Sequence, residues 1–230
     1  KIDFSQVYVS DPRDTASILN AKLAAGLNVV LSPAIYDLDE PLRLNTEGQI
    51  LLGLGLATLR PTKANVVVEV GDVAGVRVAG IIVQAGPLAQ NIRSPALIQW
   101  GTNGTKFAGS ATNPGFLQDI FARVGGPDGT PTSVVGVDAM IVVNAGHVIG
   151  DNMWLWRADH TVGGGTFPHS GNDCDHGLVV HGDDVTMYGL AVEHTLQDLT
   201  VWNGERGRTF FYQSELPYQV QQSEWGALGY

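Results

Sequence analysis

The sequence has little with which to build disulfides, metal–thiolate sites or basic surfaces. It contains one cysteine, Cys174, in 230 residues, which excludes an internal disulfide framework and a cysteine-based zinc site. Lys and Arg number 13 against 23 Asp and Glu, the net charge is −10, and no basic run occurs. Nucleic acid and anionic membranes are therefore disfavoured as partners. A polyanionic polysaccharide such as pectate is disfavoured too, unless a cation bridges the charges, whereas a neutral polysaccharide is compatible.

Long hydrophobic runs and targeting segments are missing as well. No stretch reaches the length of a membrane span, and no signal peptide opens the chain. The chain starts at Lys1 and stops at Tyr230, so we expect residues 1–230 to be a single domain, a mature or fragmentary piece of a longer parent chain. The glycosylation sequon Asn103-Gly104-Thr105 is consistent with secretion, although chance often produces such triplets.

Glycine and apolar residues are abundant, and helical signals are confined to one place. The sequence has 29 Gly and 44% apolar residues, which is typical of a large core built from short elements joined by turns. Only the stretch after Asp11-Pro12 has apolar residues at helical spacing, and Gly26 then supplies a stop. We predict a helix over Asp14–Ala25.

After Gly26 the chain becomes a series of short β-branched runs bounded by Gly, Asn and Asp, which are typical of strands. No helical pattern separates these runs, so sandwiches, barrels and β-helices remain. A two-strand unit recurs in the same order, with Val180 and Trp202 in matching positions 22 residues apart. Such a repeat predicts a solenoid. We therefore favour an all-β, right-handed parallel β-helix, capped by the N-terminal helix, over an antiparallel sandwich.

The repeat also predicts which residues face inward and which segments leave the coils. Segments 87–115, 125–133 and 160–176 are rich in turn-forming residues and are predicted to be excursions from the coils. The residues expected to stack in the core are Val67, Ile82, Val142, Val179 and Val201.

Several stretches of this sequence resemble pectin-lyase-like β-helix proteins. The stretches are Leu31–Tyr36, Leu52–Leu59, Val76–Gly80, Asp151–His160, Gly182–Val185 and Trp202–Tyr218. The group they resemble consists of secreted bacterial and fungal glycosidases, similar in fold to family 55 β-1,3-glucanases and family 87 α-1,3-glucanases. The resemblance implies a β-helix and a secreted glycoside hydrolase acting on a neutral polysaccharide such as a 1,3-linked glucan. It also implies further coils in the parent chain, which would then be partners of this one.

Other functions remain open at this point, because fold alone does not determine function. A non-catalytic β-helix that binds carbohydrate, associates with a wall or serves as an assembly subunit is the main alternative. A polysaccharide lyase comes third, because it needs a base or metal to neutralise a uronate and the chain has only four lysines.

Glycoside hydrolysis uses two carboxyl groups that flank the scissile bond. Aligning the repeat places Gln84, Arg123, Glu193 and Glu215 in one column at the ends of the second strands. Asp159 falls near this column, but an ungapped count puts it three residues late. Since adjacent coils lie about 4.8 Å apart, Glu193 and Glu215 are predicted to form the catalytic pair, approached by Asp159. A polar surface ladder is the competing interpretation.

Aromatic and basic residues near this column are candidates for contacts with sugar. The tryptophans, including Trp154, are equally compatible with the core. The predicted substrate-binding residues are Trp156, Arg157, His160, His194, Trp202 and Tyr212.

Two further acidic groups are present, each with a simpler structural interpretation. Asp183-Asp184 follows Asp159 by about one coil, as in some inverting β-helix glycosidases, but the same turn recurs elsewhere and Asp favours turns. Asp173 and Asp175, with His169 and His176, offer ligands of the type that calcium or a transition metal prefers. A solvated loop is the simpler account, and we predict no metal and no cofactor.

Overall fold

The computed structural model describes residues 2–86, 92–126, 135–160 and 172–218. Within them are a 3-10 turn (Phe4–Gln6), one α-helix, α1 (Ala16–Ala24), and fifteen strands. The strands are β1 (Val7–Val9), β2 (Asn28–Leu31), β3 (Ile35–Leu38), β4 (Leu42–Leu44), β5 (Ile50–Pro61), β6 (Val68–Val70), β7 (Arg77–Gln84), β8 (Arg93–Trp100), β9 (Gly115–Val124), β10 (Gly136–Val143), β11 (Val148–Arg157), β12 (Asp173–Val180), β13 (Thr186–Glu193), β14 (Thr200–Trp202) and β15 (Arg208–Glu215).

The strands form two parallel sheets that the chain visits in turn. One sheet has the order β1-β2-β5-β7-β9-β11-β13-β15, with β3 beside β5, and the other has the order β14-β12-β10-β8-β6-β4. Leu178–Val180 pairs in parallel with Thr200–Trp202, which excludes the antiparallel sandwich. The predicted all-β parallel β-helix is confirmed.

A column of left-handed residues bends the long strands of the first sheet. Gly80, Asp119, Asn152, Gly189 and Phe211 occupy equivalent positions in successive strands, and all have φ between 52° and 68°. The side-chain amide Nδ2 of Asn152 donates a hydrogen bond to Asp119 Oδ1 at 2.6 Å. Gly, Asn and Asp adopt this conformation at low cost. The chain of each coil therefore bends at this position, and the bend divides the outer surface of the first sheet into two faces.

The core lies between the sheets, but its register differs in part from the prediction. Val67 is buried in the core, as predicted. Ile82 is buried too, at 6% exposed, but it is in register with Phe121 on the outer side of β7 and is not part of the core. Val142, Val179 and Val201 align with one another yet face outward and are only half-buried. The residues that fill the core beside them are Ile141, Val143, Leu178 and Val180. A shift of one residue reverses the face in a strand, and continuous apolar runs give no alternation from which to choose.

Helix α1 covers the N-terminal end of the solenoid. Thr15 caps it by accepting a hydrogen bond from the Ile18 amide, and it buries Ala16, Leu19 and Leu23 against β2 and β4. The predicted helix is therefore confirmed within two residues at each end. Among the described residues, no helix is long and apolar enough to cross a membrane.

The predicted excursions are wrong in part. Arg93–Trp100 forms β8, a core strand that pairs with β6 and β10, although it lies inside the predicted loop 87–115. Proline cannot donate a hydrogen bond to a neighbouring strand, but β6 pairs only with the second half of β8. The first half of β8, which contains Pro95, is therefore a local sheet edge, where proline is tolerated. The predicted loop 160–176 ends early, because Asp173–His176 already belongs to β12. Residues 87–91, 127–134 and 161–171 lie outside the described residues.

Candidate active site

The column predicted at the ends of the second strands exists. Gln84 aligns with Arg123, Arg123 with Trp156, Trp156 with Glu193, and Glu193 with Glu215. Trp156, rather than Asp159, therefore occupies the third coil, and Asp159 lies three residues beyond, as the ungapped count indicates. The backbones that carry Glu193 and Glu215 are one coil apart, about 4.8 Å.

Glu193 is the member of the column whose environment most favours a protonated carboxyl. Its half-buried position raises its pKa, and the negative charges of Glu215 and Asp159 act in the same direction. A hydrogen bond from Trp154 and the proximity of His194 oppose the rise in part. A carboxyl group with a raised pKa suits general acid catalysis near neutral pH.

Glu215 is surrounded by hydrogen-bond donors instead. Gln213 Nε2 donates to its Oε1 at 3.0 Å, and the Tyr218 hydroxyl donates to its Oε2. This bond to Glu215 is the main cause that raises the pKa of Tyr218 to about 12. The two carboxyls of the pair therefore have different surroundings, one partly desolvated and the other held by polar partners.

His194 lies buried between the carboxylates of two coils. Its Nδ1 is 3.5 Å from Asp159 Oδ1 and its Nε2 is 3.4 Å from Glu215 Oε2, and its amide donates to the Glu215 carbonyl at 2.8 Å. Neither ring nitrogen makes a hydrogen bond within the described residues, and Gln213 Oε1 is likewise buried without a partner. Buried polar atoms without partners are costly, and these three belong to residues that contact Glu215.

An aromatic cluster borders Glu193 on the outer face of the sheet. Phe121 and Trp154 stack with centroids 4.6 Å apart and an interplanar angle of 9°. Trp156 lies 5.9 Å from Trp154 and 5.3 Å from His160, whose Nδ1 is 2.9 Å from Asp159 Oδ1. The predicted contacts Trp156 and His160 thus lie beside Asp159 and Glu193. Phe121 was missing from the predicted site because a single phenylalanine in a strand carries no signal of its stacking partner.

The structure places three predicted sugar contacts elsewhere. Arg157 is 1% exposed and donates to the carbonyls of Asn172 and His194, so it supports backbone from inside the coil. Burial lowers the pKa of its guanidinium. Trp202 aligns with the core residue Val180 and packs against the core. Tyr212 aligns with the buried Leu190 and lies 3.1 Å from the Thr200 hydroxyl, on the inward side of the last described coil.

Asp183 and Asp184 belong to a stacked turn at the opposite end of β13 from Glu193. Asp183 Oδ1 accepts from the Glu205 amide at 2.8 Å, as Asp72 Oδ1 does from the Thr102 amide. Asp184 receives two hydrogen bonds from Arg206, at 2.8 and 2.7 Å, which lower the pKa of its carboxyl. These carboxylates do not converge with Asp159, and their partners favour the turn interpretation.

A cavity of about 570 Å³ opens on this turn side of the coils. Its lining residues are Asn103, Gly104, Lys106, Phe107, Ala108, Asn144, His147, His181, Gly182, Asp183, Asp184, Asn203, Glu205 and Arg206. Asp183 and Asp184, which line this cavity, are already bonded to the turn and to Arg206, and Glu205, the third acidic residue of the lining, is exposed. We therefore place the candidate active site at the Glu193 column rather than in this cavity.

The proposed cation ligands are bonded to an arginine. Arg93 lies 2.7 Å from Asp138, 2.8 Å from Asp175 and 3.8 Å from Asp173, and these residues stack on β8, β10 and β12. His176 Nδ1 lies 2.7 Å from the Asp198 carbonyl, and His169 lies outside the described residues. In the described part of the chain no group of three ligand-type side chains is arranged to hold a metal.

Comparison with known proteins agrees with the fold and specifies its family. Residues 7–215 match the LAM55 pectate lyase-like domain. An exo-beta-1,3-glucanase from Streptomyces sp. (strain SirexAA-E / ActE) is 40% identical over 221 residues, which are 95% of this chain and 34% of that protein.

Two solved structures agree as well. A structure of sacteLam55A from Streptomyces sp. SirexAA-E superimposes with a TM-score of 0.84 at 38% identity. A variant of the same protein in complex with glucose gives 0.83 at 37%, and each match covers 95% of this chain and 38% of the other. The chain therefore spans about a third of the length of these relatives. The expected likeness to family 55 glucanases is confirmed, and since the family match covers most of its length, this chain belongs to the LAM55 pectate lyase-like domain family.

Proposed function

We propose that this chain is the β-helix of a secreted glycoside hydrolase acting on β-1,3-glucan. The observation that carries the proposal is the family match over residues 7–215, together with 40% identity to a protein described as an exo-beta-1,3-glucanase. The net charge of −10 and the absence of a basic run agree with an uncharged polysaccharide. Secretion fits a substrate that is too large to enter a cell.

Glu193 is the proton donor in this proposal, and Glu215 is the second carboxylate. Burial holds Glu193 toward its protonated form, whereas Glu215 accepts hydrogen bonds from Gln213 and Tyr218. Protonation of the leaving oxygen by one carboxyl, with the other left as an anion, is the division of roles that glycoside hydrolysis requires. His194 would position both Asp159 and Glu215.

A non-catalytic role is the second candidate, and one observation favours it. The chain spans 34% and 38% of its relatives, so the reacting groups of the parent enzyme can lie on another segment. In that case the Glu193 column and its aromatic cluster would bind glucan and form one wall of a cleft.

Hydrolysis of a soluble β-1,3-glucan, measured as reducing ends released, tests the proposal. Replacing Glu193 by Gln should lower kcat by about 100-fold or more while KM changes little, because general acid catalysis contributes about 10² to 10⁴ in rate. As the matched control, Asp183→Ala should keep its activity per folded molecule but lose about 1 kcal/mol of stability, since it removes only a turn hydrogen bond.

Each outcome discriminates between the candidates. Glucan binding without hydrolysis by the wild-type protein would support the non-catalytic role. An unchanged kcat in the Glu193→Gln variant would show that Glu193 is not the proton donor, even if the wild-type protein hydrolyses glucan.

A further inference from the structure

On the outer face of the first sheet, side chains at equivalent positions of successive strands form a column, and one position in this column holds a small residue between larger ones. From β7 to β15 it runs Ile82, Phe121, Trp154, Ala191 and Gln213. The first three side chains are large, and Phe121 covers one face of Trp154 at 4.6 Å. At the next coil the column holds only the methyl group of Ala191, and Trp154 is 44% exposed.

The gap has the dimensions of one ring. Trp154 and Gln213 are two coils apart, about 9.6 Å at the usual strand spacing, with Ala191 midway. A ring stacked on Trp154 at the separation that Phe121 already shows would lie at the level of Ala191. It would then be flanked by Trp154 on one side and by the Gln213 side chain on the other.

The chemistry at the rim identifies the kind of ring. Glu193 lies two residues after Ala191 on the same strand and therefore on the same face, and it is in register with Trp156 of the neighbouring strand. Gln213 donates to Glu215 at 3.0 Å. An apolar face of an aromatic ring attracts the partly positive C–H groups of a pyranose, while carboxylates and an amide at the edge match its hydroxyl groups.

We propose that the slot formed by Trp154, Ala191 and Gln213 binds one glucopyranose ring of the substrate, stacked on the free face of Trp154 beside Glu193. The inference rests on the proposed function for the identity of the sugar. It adds the position of the ring and gives Ala191 a role, because its small side chain keeps the slot open.

Filling the slot is the decisive test. Ala191→Phe should continue the stack of Phe121 on Trp154, so the variant is expected to fold. We expect it to bind short β-1,3-linked glucose oligomers at least tenfold more weakly than the wild type by isothermal titration calorimetry. Trp154→Ala should show a similar loss, and Trp154→Phe, which keeps an aromatic face, should lose less.

Tyr188→Ala is the matched control. Tyr188 is also exposed and stacked, on Phe210 at 5.1 Å, but it lies on the other side of the corner at Gly189. Its removal should leave oligomer binding unchanged. Equal affinity of wild type and Ala191→Phe would overturn the slot, and so would a comparable loss in Tyr188→Ala.

The same measurements separate this inference from the proposed function. A wild-type protein that binds no β-1,3-linked oligomer contradicts both. Oligomer binding that is lost in Ala191→Phe, without any hydrolysis by the wild type, supports the slot and contradicts the catalytic role. Hydrolysis by the wild type with unchanged binding in Ala191→Phe contradicts the slot alone.

Discussion

At the residue scale, Glu193 combines a candidate catalytic role with a cost to the fold. Burial raises the pKa of its carboxyl above the ordinary value of 4.5, so the native state binds this proton more tightly than the unfolded chain does. The contribution of Glu193 to stability therefore falls as the pH rises from its unfolded pKa through its folded pKa. Above that window, the folded protein bears the full cost of a partly desolvated negative charge.

Removing the negative charge of Glu193 should stabilise the protein only at pH values above the folded pKa of this carboxyl. We expect Glu193→Gln to raise Tm relative to the wild type by more at about pH 7.5 than at about pH 4, as measured by thermal unfolding. Because the side chain is partly exposed, the difference should be a few degrees or less. Glu205→Gln, at an exposed turn, controls for the general effect of losing one acid. An equal Tm difference at both pH values would show that Glu193 titrates as it does in the unfolded chain.

At the scale of the element, the corner of the first sheet accounts for an unusual residue. The left-handed column is occupied by Gly80, Asp119, Asn152 and Gly189 and then by Phe211, which has φ 60° and is 87% exposed. A bulky side chain is disfavoured in this conformation by about 1–2 kcal/mol, and an exposed ring recovers little of that by packing. The coil geometry, repeated from strand to strand, imposes the conformation on Phe211.

Relief of this strain should stabilise the protein. Phe211→Asn should raise the free energy of unfolding by about 1 kcal/mol, measured by denaturant titration, since Asn tolerates positive φ. The converse change at the equivalent corner, Asn152→Phe, should lower stability by at least as much and also lose the hydrogen bond to Asp119. A neutral or destabilising Phe211→Asn variant would indicate that the exposed ring makes a contact of its own.

At the scale of the whole molecule, charge and shape agree with the uncharged polymer that we propose as the substrate. The chain carries −10, and its two parallel sheets keep the candidate site along the side of a stack of coils. If stacking and hydrogen bonding hold the sugar, few ions are displaced on binding. The affinity for neutral glucan should then vary little with ionic strength.

A salt titration checks this expectation. Between about 50 mM and about 500 mM NaCl, the Kd for a β-1,3-linked oligomer should change less than about twofold. A polyuronate of similar length should bind much more weakly at low salt, because the protein repels it. Tight, salt-sensitive binding of the polyuronate would contradict the assignment of a neutral substrate.

Much of the fold could be predicted from the sequence, because the repeat itself carries the information. Paired β-branched runs recurring about 22 residues apart specify stacked coils, and the same alignment places Glu193 next to Glu215. Thr15 and the apolar spacing after it specify α1. Recurrence of the turn also indicated a structural role for Asp183 and Asp184 beside their candidate catalytic one, and their hydrogen-bond partners lie one coil further along the chain.

Other features were decided by the tertiary structure alone. In runs such as Met140–Val143 every residue is apolar, so only packing determines that Ile141 faces inward and Val142 outward. Arg157 and Trp202 have side chains suited to sugar, but coil register turns them into the core.

The slot at Ala191 shows the same division between sequence and tertiary structure. A single alanine in a strand gives no sequence signal of a binding site. Ala191 leaves an open space only because parallel stacking places it between Trp154 and Gln213. The sequence by itself determined the repeat, the coils and the alignment of Glu193 with Glu215, because these depend on spacing along the chain. The depth of each side chain and the open ring-sized slot depend on contacts between coils, which only the folded stack creates.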